Sequence, residues 1–227
     1  MPAETWAPQP SAVTFSPSGV YAPQWDTGML TRALRREHIG PATTVLDLGT
    51  GSGVLAILAA RLGARVTAVD ISRRALVTGW VNARLAGQRI CFRHGDLIAA
   101  VPGRSYDLIV SNPPYVPSPA AGLPRHGRAR AWDAGRDGRA FIDRICAAAP
   151  ALLRPRGVLL LVHSGLCRPQ ATLDHLTQAG LSAAVTDRTR VPYGPVLRSR
   201  QRWLIEQGLL KAGDSLEELV VIRAHHA

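Results

Sequence analysis

The tetrapeptide Asn112-Pro113-Pro114-Tyr115 carries the clearest chemical signal in the sequence. It follows an apolar run at residues 106–110, which predicts a buried strand. Proline disfavours the helical region for the residue before it, and two successive prolines restrict the backbone as far as Tyr115. The motif therefore holds an amide side chain, a proline carbonyl and an aromatic ring in fixed relation. Two acceptors and a ring face suit a planar NH2 group. The simpler interpretation is a proline-rich loop that caps a strand.

A glycine-rich loop at residues 49–53 lies between a predicted strand at 44–48 and a predicted helix at 54–62. Its spacing is G-x-G-x-G, and Val54 stands where a dinucleotide-binding fingerprint requires its third glycine. The Lys-Ser/Thr pair of a P-loop is also missing. Asp47 precedes the loop, and a carboxylate there favours a ligand with an ammonium group over one with phosphates. Alternatively, the glycines serve only the backbone geometry of a strand-turn-helix connection.

Two further acids end the next two predicted strands, at residues 65–69 and 89–93. Asp70 could accept hydrogen bonds from both hydroxyls of a ribose, and Ile71 beside it could cover one face of a purine ring. Asp96 could accept from an adenine amino group. Each acid alone could equally be a helix cap or a turn residue. Because ligands of open α/β sheets bind at the carboxyl ends of the strands, the acids and the glycine loop together predict a nucleoside site.

The remaining elements are predicted from periodicity and from capping residues. Strands that alternate with helices predict an α/β, doubly wound, mostly parallel sheet. Asp26 or Thr27 is expected to cap the first helix and Ser72 the third. Further helices are predicted at residues 28–36, 72–85, 140–153 and 169–179, further strands at 158–162, 181–186 and 218–223, and loops at 117–138 and over most of 187–217. The helix-free link before the last strand indicates that this strand is antiparallel.

Length and composition set the broad class. The 227 residues suit a single α/β domain at residues 20–227, preceded by a flexible Pro-rich arm at residues 1–19. The sequence shows no long apolar span and no basic-then-apolar leader, and its three cysteines are scattered. We therefore expect a cytoplasmic protein with no membrane contact, and no Cys/His spacing predicts a metal site. The formal net charge is +11, but Lys211 is the only lysine, which indicates the coding bias of a GC-rich genome more than a phosphate-binding surface.

Residues 47–53, Asp70, Asp96 and the tetrapeptide together resemble the class I S-adenosylmethionine-dependent methyltransferases. Two flanking segments narrow the resemblance to the HemK group of protein-glutamine N5-methyltransferases, in its short, single-domain form. They are Tyr21-x-Pro23-x-x-Asp26-Thr27 and Ala131-Trp132-x-x-Gly135-x-Asp137-Gly138. The resemblance covers about residues 20–165. It implies a Rossmann-like, seven-stranded sheet with an antiparallel last strand, S-adenosylmethionine as cofactor and a glutamine side-chain amide as methyl acceptor.

The resemblance also implies roles for individual residues. Asn112, Pro113 and Tyr115 are the expected catalytic residues. The side-chain oxygen of Asn112 and the carbonyl of Pro113 would accept the two hydrogens of the acceptor NH2 group, while Tyr115 would pack against its plane. The expected acceptor-binding residues are Asn112, Pro113, Pro114, Tyr115 and Trp132. The expected cofactor-binding residues are Asp26, Thr27, Asp47, Gly49, Thr50, Gly51, Gly53, Asp70, Ile71, Asp96, Leu97 and Asn112.

Four functions stay open at this point. Methylation of a protein glutamine, as on a release factor, is preferred. N-methylation of a small molecule is the second, and N6-adenine or N4-cytosine methylation of DNA or RNA is the third. The third is supported by the net charge and by the arginines at positions 188, 190, 198, 200 and 202. The fourth is an inactive cofactor-binding partner protein.

Two departures from the family concern partners. Bacterial release-factor methyltransferases carry a helical N-terminal domain, whereas this chain begins with the Pro-rich arm. The short eukaryotic and archaeal relatives usually need a small zinc-binding activator protein. An activator protein is therefore a candidate partner beside the substrate protein.

Overall fold

The computed structural model describes residues 15–17 and 19–226, so most of the predicted Pro-rich arm lies outside the described residues. Helices in the described part are α1 (Trp25–Arg36), α2 (Val54–Arg61), α3 (Arg73–Leu85), α4 (Ala140–Leu152), α5 (Pro169–Gln178) and α6 (Pro195–Glu206). The strands are β1 (Thr44–Leu48), β2 (Arg65–Asp70), β3 (Cys91–His94), β4 (Tyr106–Ser111), β5 (Leu153–Ser164), β6 (Leu181–Pro192) and β7 (Leu216–His226). They form one seven-stranded sheet in the order β3-β2-β1-β4-β5-β7-β6.

The chain divides into two compact units, with the division after Asn112. In the first unit β1 pairs in parallel with β2 and with β4, and β2 pairs in parallel with β3. The core strand β1 is apolar along most of its length because helices cover both faces of such a sheet, and Val45, Leu46 and Leu48 are fully buried. The predicted strand at residues 44–48 is confirmed with the same bounds.

Two helix starts test the predicted caps. Ser72 caps α3 as expected, because its hydroxyl accepts a hydrogen bond from the Ala75 amide at 3.3 Å. The cap prediction for Asp26 and Thr27 is wrong, since α1 begins at Trp25 and Gln24 is its N-cap residue. Both residues lie in the first turn of the helix, where an acidic side chain still interacts favourably with the helix dipole.

The second unit holds the antiparallel part of the sheet. β7 pairs antiparallel with β5 over Val158–Ser164 and antiparallel with β6 along its whole length. The predicted antiparallel last strand is therefore confirmed. Residues 159–162 of β5 are almost completely buried, which agrees with their unbroken apolar sequence.

The prediction that residues 187–217 are mostly loop is wrong. β6 continues to Pro192, α6 occupies Pro195–Glu206 and β7 begins at Leu216. β6 is an edge strand whose residues alternate between exposed and half-buried, so arginine and aspartate can occupy it without burying a charge. The link between β6 and β7 thus contains a helix, and the antiparallel direction of β7 does not depend on a helix-free link.

Candidate functional site

The glycine loop after β1 has a backbone that only glycine adopts easily. Gly49, Gly51 and Gly53 have φ angles of +74°, +55° and +85°. The loop bends over the end of β2, because the amides of Gly49 and Thr50 both donate to the Val69 carbonyl, at 2.9 and 3.0 Å. The three glycines therefore serve the backbone geometry, and this geometry presents the start of α2 at the carboxyl edge of the sheet.

Helix α3 supports the loop from below through residues that the sequence analysis did not single out. A Cβ atom on Gly53 would lie 3.1 Å from the Cα of Gly79, and a Cβ on Gly79 would lie 2.9 Å from the ring of Phe92. Asn82 donates from Nδ2 to the Ser52 carbonyl at 2.9 Å. The available signal was a glycine inside a predicted helix, which usually marks a close packing contact.

Asp47 lies at the end of β1 with 1% of its surface exposed. Its Oδ2 accepts hydrogen bonds from the Thr50 hydroxyl at 2.7 Å and from the Ala56 amide at 3.1 Å. Its Oδ1 is buried and has no hydrogen-bond partner in the described part of the chain. Burial raises the pKa of Asp47 from 3.8 to about 7, the hydrogen bonds from Thr50 and Ala56 oppose this rise, and the charge of Asp70 adds to it. The site thus offers a desolvated carboxylate with an unsatisfied acceptor.

Asp70 and Ile71 follow at the end of β2. The Asp70 carboxylate is half-buried and accepts from the Gly51 amide at 2.9 Å and from the Ser72 amide at 2.8 Å. It therefore joins the glycine loop to the start of α3. Ile71 keeps 42% of its surface exposed, which is unusual for isoleucine and fits a role in covering an apolar ring.

Asp96 and Leu97 lie after β3. Asp96 is half-buried and precedes a short 3-10 helix at Leu97–Ala100. Leu97 is buried and has a φ of +48°, a conformation that is strained for a residue with a Cβ. Such strain is often retained at ligand sites. Leu97 was predicted as a cofactor residue, and its backbone gives an independent reason to consider it.

Asp26, Thr27 and Asn112 are linked by hydrogen bonds. The Asp26 carboxylate accepts from the Tyr21 hydroxyl at 2.6 Å and from the Thr27 amide at 2.6 Å. The Asn112 side chain in turn donates from Nδ2 to the Thr27 hydroxyl at 3.4 Å. The structure therefore brings the first turn of α1 and the first residue of the tetrapeptide together.

The rest of the tetrapeptide belongs to the second unit. Pro113 is buried, whereas Pro114, Tyr115 and Trp132 are half-buried. The chain after Tyr115 pairs with the segment after Trp132, because the Val116 amide donates to the Trp132 carbonyl at 2.7 Å and the Ala134 amide donates to Val116 at 3.1 Å. These bonds pair the residue before the long loop at residues 117–138 with residues 132–134 in the later part of that loop.

Two contacts that were not predicted from the sequence hold this paired segment. Arg200 on α6 lies 2.6 Å from a carboxylate oxygen of Asp133 and donates to the Pro117 carbonyl at 2.9 Å. On the other side, the Cys167 thiol donates to the Tyr115 carbonyl at 3.1 Å. Burial raises the pKa of this thiol above its ordinary range, so it stays a protonated donor.

The residues of the first unit fit S-adenosylmethionine. The buried, unpartnered Oδ1 of Asp47 suits the ammonium group of its methionine part, Asp70 offers acceptors for ribose hydroxyls and exposed Ile71 offers an apolar surface to the adenine ring. Among the described residues, no group of three or more His, Cys, Asp and Glu side chains could hold a metal ion. None of the helices described is long and apolar enough to cross a bilayer.

Comparison with known proteins gives consistent matches. The family described as methyltransferase small domain matches residues 14–122. A protein of Methanocaldococcus jannaschii that is named provisionally as a protein N5-glutamine methyltransferase is 33% identical over 150 residues, which cover 66% of this chain and 76% of that protein. The release factor glutamine methyltransferase of Rhodospirillum rubrum is 45% identical over 146 residues, which cover 60% of this chain and 45% of that enzyme.

Solved structures agree with these matches. The structure of the E. cuniculi Mtq2–Trm112 complex, which is responsible for methylation of the termination factor eRF1, matches with a TM-score of 0.64 and 25% identity. The match covers 92% of this chain and 99% of the matched chain. The present chain thus spans less than half the length of the R. rubrum enzyme but the full length of this shorter relative. The chain belongs to the HemK-type protein-glutamine N5-methyltransferases, a group of class I methyltransferases that use S-adenosylmethionine as methyl donor.

Proposed function

We propose that the protein transfers a methyl group to the side-chain nitrogen of a glutamine in a protein acceptor, and that this acceptor is a translation release factor or a protein like it. The proposal rests on the family and on the residues that would bind the acceptor. Its relatives include enzymes named for release factors and for ribosomal protein uL3, so the class of acceptor is supported more strongly than its identity.

The observation that carries the proposal is the orientation of the Asn112 amide. Its Nδ2 donates to the Thr27 hydroxyl, so the donor end of the amide is engaged within the protein. The other end is the oxygen, and an oxygen acceptor is what an incoming NH2 group requires. Pro113, the next residue in the chain, adds a carbonyl and has no backbone N–H that could compete for it.

The chemistry follows from the poor nucleophilicity of an amide nitrogen, whose lone pair is delocalised. When bound, S-adenosylmethionine supplies an electrophilic methyl group. The oxygen of Asn112 and the carbonyl of Pro113 would accept the two N–H hydrogens and favour a more tetrahedral nitrogen. Tyr115 would pack against the amide plane and fix its direction. Alignment of this kind can lower a barrier by about 7–11 kcal/mol. A strong general base is not required, because a proton on the amide nitrogen would become acidic once the nitrogen carries the methyl group, and water could then accept it.

Nucleic acid is less well supported as the acceptor, because three of the five arginines that suggested it are paired with carboxylates. Arg200 is paired with Asp133, Arg188 with Glu218 and Arg202 with Glu206. These three arginines therefore do not form a continuous basic track for a phosphate backbone. A small-molecule acceptor keeps the same chemistry and differs only in what the loop at residues 117–138 recognises.

Three other expectations stay predictions. A small activator protein is proposed by analogy with the E. cuniculi relative, whose structure is a complex with Trm112. The cytoplasmic location rests on the scattered cysteines. The division into an arm at residues 1–19 and one domain at 20–227 rests on composition, since residues 1–14 and 18 lie outside the described part of the chain.

The test is transfer of a labelled methyl group from S-adenosylmethionine to host material. The protein is incubated with a lysate, and label is measured separately in protein, nucleic acid and small-molecule fractions. We expect one labelled protein band, in which mass spectrometry places a single methyl group on a glutamine. Label confined to either of the other fractions would refute the proposed acceptor, and the Asn112→Ala variant serves as the negative control.

A further inference from the structure

We propose that Arg200, together with Asp133, is a positioning residue that fixes the acceptor-binding residues Tyr115 and Trp132. The pair holds the base of the loop at residues 117–138, called here the acceptor loop; the loop base is formed where residues 116–118 pair with residues 132–135. This inference rests on the proposed function, because it assigns Tyr115 and Trp132 to the acceptor site. It gives a role to a residue of the C-terminal segment, which lies beyond the matched small-domain region at residues 14–122.

The guanidinium group of Arg200 contacts both stretches of the loop base. One nitrogen of Arg200, Nη1, donates to the Pro117 carbonyl at 2.9 Å, and the other, Nη2, lies 2.6 Å from Oδ1 of Asp133. Pro117 is two residues after Tyr115, and Asp133 directly follows Trp132. A single planar group therefore contacts the chain next to each of the two predicted acceptor-binding aromatic residues, in the forked geometry that arginine provides and lysine does not.

The two stretches of the loop base, residues 116–118 and 132–135, also pair with each other. Val116 and Asp133 form an isolated parallel bridge, and the Ser118 amide donates to the Gly135 carbonyl at 2.9 Å. The Ser118 hydroxyl also donates to the other carboxylate oxygen of Asp133, at 3.1 Å. Asp133 thus joins its own side of the loop base to Ser118 on the other side, and Arg200 neutralises its charge.

The ion pair between Arg200 and Asp133 is largely buried. The side chain of Arg200 is 17% exposed and that of Asp133 is 7% exposed, whereas exposed ion pairs contribute little. A desolvated pair with additional hydrogen bonds is retained for specificity of structure more than for net stability. Its position at the base of the acceptor loop indicates what that specificity serves.

Helix α6 also packs against the loop base through apolar side chains. Its buried residues Leu197 and Leu204 form an apolar cluster with Tyr193 and Leu210, and Val116 packs against this cluster. The helix that carries Arg200 is therefore anchored to the residue that directly follows Tyr115. Movement of α6 would move the loop base with it.

The test compares Arg200→Met with Arg202→Met. Arg202 lies on the same helix, has a side chain that is 94% exposed and pairs with Glu206, so it controls for loss of an arginine. Hydrogen exchange of the Val116 and Ala134 amides is measured with the full chain. We expect exchange to become about 10-fold faster or more in Arg200→Met and to stay unchanged in Arg202→Met, because local opening of the loop base becomes easier.

Kinetics separate positioning from plain stability. Arg200→Met is expected to lower kcat/KM for the protein acceptor by about 10-fold or more, while the Kd for S-adenosylmethionine changes less than about 2-fold. Arg200→Lys should recover only part of the rate, because one ammonium group cannot make both contacts.

The double variant Asp133→Asn with Arg200→Met removes the unpaired buried carboxylate that the single variant leaves behind. We expect the double variant to have a higher Tm than Arg200→Met. Its kcat/KM should stay as low as that of Arg200→Met, since the contact with Pro117 is still missing. Recovery of both stability and rate, or exchange in Arg200→Met that equals exchange in Arg202→Met, would overturn the positioning role. If the unmodified protein methylates no glutamine, the proposed function fails, and hydrogen exchange alone still decides whether the loop base depends on Arg200.

Discussion

Replacement of Asp47 by asparagine should weaken cofactor binding and stabilise the free protein at the same time. The carboxylate is 1% exposed, and its pKa rises from 3.8 to about 7, chiefly because burial disfavours the charged form. Burial of such a group lowers the stability of the free protein. We therefore expect the charge to serve a ligand. The ammonium group of S-adenosylmethionine is the ligand that we expect.

The direction of the pH dependence follows from the two pKa values. The unfolded chain loses the Asp47 proton near pH 3.8, whereas the folded chain keeps it until about pH 7. Between these values the folded state binds more protons, so the contribution of Asp47 to stability falls as the pH rises, and the loss is complete above pH 7. A shift of about 3 pKa units corresponds to about 4 kcal/mol.

Asparagine removes this charge but leaves a buried amide donor, which costs about 1–3 kcal/mol if it stays unpaired. The net expectation for Asp47→Asn is a gain of about 2 kcal/mol in the free energy of unfolding near pH 8, measured with urea in the absence of cofactor. The exposed Asp174, whose carboxylate accepts a hydrogen bond from Gln170 on the same helix, provides the control variant Asp174→Asn.

Cofactor binding should show the opposite response. Below pH 7 the carboxylate of the cofactor-free protein is protonated. The Kd for S-adenosylmethionine is therefore expected to rise about tenfold for each unit by which the pH falls below 7. Near pH 7, where about half of the sites hold a proton, calorimetry in buffers of different ionisation enthalpy should detect release of about half a proton per cofactor bound. In Asp47→Asn the Kd should be at least about 100-fold higher near pH 8, and its pH dependence should vanish. A wild-type Kd that does not change with pH, or an Asp47→Asn variant that binds as tightly as wild type, would refute this account.

Three further variants test separate parts of the structure. Asn112→Ala should keep the Kd for the cofactor and lower kcat about 100-fold or more, measured by single-turnover kinetics, because one hydrogen bond of the transition state is lost; near-normal turnover would contradict its role. Gly79→Ala should lower the free energy of unfolding, measured with urea, by about 1–3 kcal/mol, because the added Cβ would lie 2.9 Å from the Phe92 ring. Gly40→Ala is its control, since a Cβ added there would meet no described neighbouring atom within 4 Å. Burial lowers the pKa of His163 from 6.5 to about 4, so its contribution to stability is lost as the pH falls from 6.5 to 4, and His163→Gln should reduce that loss by about 3 kcal/mol in acid titrations followed by circular dichroism.

The central strands could be predicted because burial on both faces favours a largely apolar sequence. In the run at residues 44–48 this signal comes from Val45, Leu46 and Leu48, and the strand has the predicted bounds. The site residues at the ends of β1 and β2 followed from the same logic, since a parallel sheet places those ends at one edge. The start of α1 was less predictable, because Asp26 is as favourable inside the first turn as at the cap.

The C-terminal elements were missed because their signals are weaker and contradictory. β6 is an edge strand, so its arginines and aspartate resemble those of a solvated loop. α6 does carry a helix signal, with proline at its first position and buried Leu197 and Leu204 seven residues apart. Its abundant arginine obscured that pattern, and a hydrophobic spacing of seven residues with only two members is little evidence without a neighbour to pack against.

The pair between Arg200 and Asp133 could not have been predicted from local sequence at all. The two residues are far apart in the chain, and each is unremarkable in its own surroundings. Their meaning comes from the acceptor loop that they hold, since Arg200 contacts Pro117 at the start of the loop and Asp133 directly after Trp132, and so fixes the chain beside Tyr115 and Trp132. The small-domain match ends at residue 122, before either member of the pair. Residues that bind the cofactor can therefore stay the same while changes in α6 move the acceptor loop, which offers a physical route by which related enzymes could share one reaction and differ in the protein that they methylate.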